Sequence, residues 1–140
     1  MVVRRYQDLA VWQLASDLER KVFAFTAMSA AREDFEFCRQ IRKSSASAPR
    51  NIVEGFGRFW PTEFAHKLRI ARDELYETQD HLSLALDQRY ISVQEHSEMC
   101  RLADRALGAS TRLLRYLDGA GDDWKKGFLS ARRGAAKRER

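Results

Sequence analysis

Apolar residues recur along this chain at spacings of three and four. Val11, Trp12, Leu14, Ala15, Leu18, Val22 and Phe25 mark one face of an amphipathic helix, predicted from about Asp8 to Phe25. The Asp8 carboxylate is placed to cap its first turn. Ala27 to Asp34 breaks the pattern and reads as a loop. A second helix carries Cys38, Ile41, Ser45, Ala48 and Ile52 on its inner face and ends at Gly55-Phe56-Gly57, where glycine would permit a positive φ. A third starts after Pro61 with Thr62 as its cap, shows Phe64, Leu68, Ala71, Leu75, Leu82 and Ala85 in phase, and ends near Arg89. The fourth opens on Ser92 and Glu95 in capping-box spacing. Its seam of Met99, Ala103, Ala106, Ser110, Leu113 and Leu117 alternates four and three apart up to Gly119 and Gly121.

Four such helices with short connections predict an all-α, up-and-down antiparallel four-helix bundle over residues 1–119. Pro49 lies within the second helix, yet the apolar phase runs on to Ile52, which predicts a helix kinked at Pro49. The Ser-Ser-Ala-Ser-Ala run of residues 44–48 predicts a close backbone approach by another helix. Beside the inner face runs a polar stripe of Gln40, Ser44, Ser47, Asn51 and Glu54, either a solvated face or a seam against another helix or subunit.

Composition changes this picture little. The 140 residues are 44% hydrophobic and 32% charged, with only 7 Gly and 2 Pro, too little turn chemistry for a sandwich or barrel. No apolar stretch approaches a membrane span, and the charged N-terminal residues exclude a secretory signal, so a cytoplasmic location is expected. Cys38 and Cys100 fall outside any Cys-x-x-Cys pattern and read as free thiols in a reducing compartment.

Charge is informative only once located. The net charge is +5, but residues 124–140 hold seven basic residues against one acid, so the remaining body carries net −1. Residues 120–140 are expected to form a separate, flexible basic C-terminal tail. Within it Trp124 and Phe128 stand four apart among lysines, as on a short basic amphipathic helix.

The string Gln40-Ile41-Arg42, followed by Ser47-Ala48-Pro49-Arg50-Asn51-Ile52-Val53-Glu54-Gly55-Phe56-Gly57-Arg58, resembles the signature of a four-helix-bundle family. That family includes proteins encoded in intervening sequences of large-subunit ribosomal RNA genes and accessory proteins of diversity-generating retroelements. Tyr6-Gln7-Asp8-Leu9-Ala10-Val11-Trp12 resembles the family's opening, Glu63-Phe64, Ile70-Ala71-Arg72 and Glu77 its third helix, and Tyr90-Ile91 its turn into the last. The chain departs from the pattern at Ala48, Val53 and Asp73-Glu74, the last placing two acids where the family keeps small neutral residues. The resemblance implies a homo-oligomer, with a pentamer favoured, and no catalytic activity. For the retroelement branch it implies binding to nucleic acid and to a reverse transcriptase.

Two functions follow. One is a non-enzymatic homo-oligomeric scaffold or adaptor, possessing no cofactor and acting on a protein partner. Its expected subunit interface is Asn51, Glu54, Phe56, Arg58, Phe59 and Trp60, because the loop carries three large aromatic rings that either fold under the bundle end or fill a neighbour's pocket. The alternative is an accessory protein binding RNA or DNA through Arg39, Arg42, Lys43 and Arg50, repeated around a ring, and through Lys125, Lys126, Arg132 and Arg133. Enzyme signals are poor. Glu63-Phe64-Ala65-His66 is a single Glu-x-x-His where a di-iron bundle needs two, and no phosphate loop or nucleophile elbow occurs. Glu54 and Glu77 read as structural carboxylates paired with Arg42 or Arg58.

Overall fold

The computed structural model describes residues 3–58 and 60–119. Among the described residues four α-helices form: α1 (Ala10–Met28), α2 (Phe35–Gly57), α3 (Pro61–Asp87) and α4 (Val93–Gly119). Each packs against its neighbours in sequence, and α4 closes on α1. Cross-helix pairs fix the directions. Ser44 meets Thr78 and Glu54 meets Lys67, while Gln79 meets Asp104 and Arg69 meets Asp118, so residue numbers rise on one helix as they fall on the next. The bundle is therefore antiparallel.

The predicted phases point inward. Leu18, Val22, Ile41, Ile52, Leu68, Leu75 and Leu82 are almost fully buried, interleaved with Ala15, Ala48, Ala71, Ala103 and Ala106. Small residues bring the backbones together, and the polar ones among them are satisfied locally. Ser44 shares a 2.8 Å hydrogen bond with Thr78, whose hydroxyl also donates to the Glu74 carbonyl. Ser110 donates to the Leu107 carbonyl. Each bond removes the penalty of a buried, unpaired hydroxyl. The α2 helix continues on both sides of Pro49, which is buried.

Several boundaries differ from the expectation, each for a local reason. Asp8 does not cap α1. Its carboxylate turns back to accept from the Arg4 and Arg5 amides, closing a 3-10 turn at Tyr6–Asp8, and α1 begins after Leu9 without a side-chain cap. That turn brings Val3 and Leu9 into the core. The loop after α1 is partly helical. Ser29 accepts from the Ala31 amide and starts a second 3-10 turn at Ala30–Glu33. Asp34 then caps α2 by accepting from the Phe37 amide.

Thr62 is not the cap of α3. Pro61 occupies the first helical position, where its missing N–H costs nothing, and Trp60 precedes it. The end of α2 uses no left-handed glycine. Arg58 follows in extended conformation, its amide donating to the Gly55 carbonyl. The left-handed residue sits instead at the end of α3. Arg89 has φ 60° and donates to Leu86, while Tyr90 donates to Ala85. This is a Schellman motif with arginine in the glycine position. The Ser92–Glu95 capping box forms as predicted, with reciprocal bonds of 3.0 and 3.1 Å.

Candidate interface surfaces

The expected subunit interface lies where α2 hands over to α3. Asn51 is half-buried and donates to the carbonyl and hydroxyl of Ser47, one turn earlier. Glu54 pairs with Lys67 on α3 at 3.0 Å, not with Arg42 or Arg58. Phe56 packs edge-on against Phe64, at a centroid distance of 6.4 Å. One expected ring thus folds back onto the bundle, whereas Trp60 is 51% exposed. Arg58 is exposed between them and lines a shallow depression with Thr62, Glu63, His66 and Lys67. Phe59 lies outside the described residues.

The α2–α3 crossing is tight at this point. A Cβ on Gly55 would stand 3.0 Å from the Lys67 Cβ and 3.3 Å from the Phe64 carbonyl oxygen. Glycine is therefore required by proximity between helices rather than by backbone conformation.

The expected basic cluster is divided. Arg39 forms a two-pronged bond to Glu36, at 3.1 and 2.8 Å. Arg39, joined by Gln40, holds the Glu36 carboxyl down to about 2. Arg42 faces α1 instead of solvent, donating to the Thr26 hydroxyl with its guanidinium 5.0 Å from the Phe23 ring centroid. Lys43 and Arg50 remain exposed on the outer face. Between α2 and α3, Arg39 and Lys43 share a polar groove with Glu74 and Glu77. Burial and then the neighbouring Glu77 push the Glu74 carboxyl above its ordinary range, against the pull of Lys43. The face is thus mixed in sign. Lys125, Lys126, Arg132 and Arg133 lie outside the described residues.

Glu77 pairs with His81 one turn on at 3.5 Å, although the buried Nε2 has no hydrogen-bond geometry toward it. Cys38 and Cys100 are both free, and burial raises both thiols. Among the described residues, no group of three or more His, Cys, Asp or Glu is arranged to hold a metal ion. No helix among them is long and apolar enough to cross a membrane.

The opposite bundle end carries surface that the sequence reasoning did not single out. Met28, Phe35 and Val93 are 85%, 82% and 74% exposed. They close α1 and open α2 and α4, just outside the periodic stripes, so no phase marked them. Beneath them the Tyr90 hydroxyl donates to Asp34 at 2.7 Å, and its ring packs on Phe37 at 5.1 Å. The bond to Asp34 raises the phenol above its ordinary range.

Residues 7–109 match the family described as 23S rRNA-intervening sequence protein. The chain belongs to that family. A similar fold is seen in the crystal structure, at 1.70 Å resolution, of a protein with unknown function from the S23 ribosomal protein family of Bacteroides thetaiotaomicron VPI-5482. The two are 21% identical with a TM-score of 0.69, over 76% of this chain and 99% of the other, a likeness that shows the shared fold. No curated protein matches. Neither the family description nor that structure's description names an enzymatic activity.

Proposed function

We propose that this protein is a non-enzymatic homo-oligomeric bundle, favoured as a pentamer, that serves as a scaffold or adaptor. The observation that carries this reading is partly exposed apolar surface at both ends. Met28, Phe35 and Val93 stand at one, and Trp60 at the other. Such area favours burial by about 25 cal/mol per Å², and contiguous apolar patches are uncommon on lone soluble chains. Unlike ends that fit each other give a head-to-tail contact, which closes into a ring when the rotation permits. Sedimentation of the full chain over a dilution series tests this. A multiple of the chain mass that persists on dilution, and falls in a Met28→Glu, Phe35→Glu double variant, is the expected result. A single chain at every concentration would refute it.

Exposed Lys43 and Arg50, together with the tail, favour a second reading as an accessory protein for RNA or DNA. On a mixed-sign face, phosphate binding would depend mainly on the tail. Replacing Lys125, Lys126, Arg132 and Arg133 by alanine should reduce the salt dependence of RNA binding by up to about four phosphate contacts' worth of slope. Binding that is absent in the parent chain, or indifferent to salt, would remove this reading.

A further inference from the structure

Between α1 and α4, at the end where α4 stops, lies an apolar groove of about 310 Å³. Leu9, Ala10, Val11, Ala109, Leu113 and Tyr116 line it, with Arg112 at its edge. Arg112 is exposed and forms no ion pair among the described residues. We propose that residues 122–128 of the same chain dock in this groove, with Trp124 as the anchor and Asp122 and Asp123 facing Arg112.

Two observations support this occupant. The first is reach. Leu113 lies six residues before Gly119, about 9 Å back along the helix at ~1.5 Å per residue. Trp124 lies five residues beyond Gly119, and an extended chain covers about 17 Å at ~3.4 Å per residue. The whole groove falls inside that radius. The larger α1–α4 depression beside Met28 and Met99 does not, because Met99 is about 30 Å from Gly119 on the same scale. The second is charge. The segment presents two acids and then an indole, matching one unpaired guanidinium beside an apolar trough.

Docking would anchor the basic tail at the bundle end, independently of the assembly proposed above. Trypsin digestion of the full chain tests it through cleavage after Lys125 and Lys126. The parent should be cut several-fold more slowly than Trp124→Ala, and than Ala10→Glu, which places an acid in the groove. The first turn of α1 carries no acid, and a glutamate there is compatible with the helix. In the same proteins the methyl resonances of Val11 and Leu113 should lose their ring-current shifts when the indole is removed. Equal cleavage rates in all three proteins would overturn the proposal, as would methyl resonances indifferent to Trp124. Protection that fades on dilution would also overturn it, since the occupant would then be a sister copy's tail.

Discussion

Two glycines two residues apart obey different rules. At Gly55 a methyl group would meet the Lys67 Cβ and the Phe64 backbone, neither of which can swing away. A Cβ added at Gly57 would meet nothing within 4 Å. Gly55→Ala should therefore lose about 1–3 kcal/mol through overpacking, exceeding the roughly 1 kcal/mol of helix propensity that alanine brings. Gly57→Ala should be neutral or stabilising by up to about 1 kcal/mol. Urea denaturation of both variants checks the contrast. Glu74 supplies a pH test. Its folded carboxyl is raised above its unfolded value, so the folded state binds the proton more tightly and stability falls as pH rises from 4.5 through the folded pKa. Glu74→Gln should raise the melting temperature at pH 7 and lose that advantage below pH 4.5. Thermal melts at the two pH values decide it.

At the level of elements, the connection between α3 and α4 shows a compromise. Arg89 holds the left-handed conformation that a Schellman motif requires, and an L side chain there is strained. Arg89→Gly should stabilise the bundle by about 0.5–1 kcal/mol, the relief of strain outweighing the greater freedom of the unfolded glycine. Denaturant midpoints measure it. The same elements show what the sequence could and could not reveal. The Ser92–Glu95 cap was legible because both bonds lie within one turn. The helix phases were legible because Leu18, Ile41, Leu75 and their companions repeat on one face. Asp8 was misread because a carboxylate at a helix entrance can accept from the amides before it as readily as from those after it. Asp34 went unnoticed because the broken phase around it concealed a helix start.

For the whole molecule, the candidate surfaces were less legible than the fold. Glu54 found its cation thirteen residues away on α3, a pairing set by helix register rather than by spacing. Arg42 looked like part of a basic patch, but tertiary packing turned it onto Thr26 and Phe23. Met28, Phe35 and Val93 carry no local mark of exposure, since only the assembled bundle shows which end residues stay uncovered.

The Tyr90 to Asp34 bond spans 56 residues and ties the α1–α2 connection to the α3–α4 connection across one end. The two connections at that end should therefore open together or not at all. Deuterium would then enter the amides around residues 34–38 and 88–92 at matching rates. Removing one oxygen, with Tyr90→Phe, should uncouple them and let each take up label sooner.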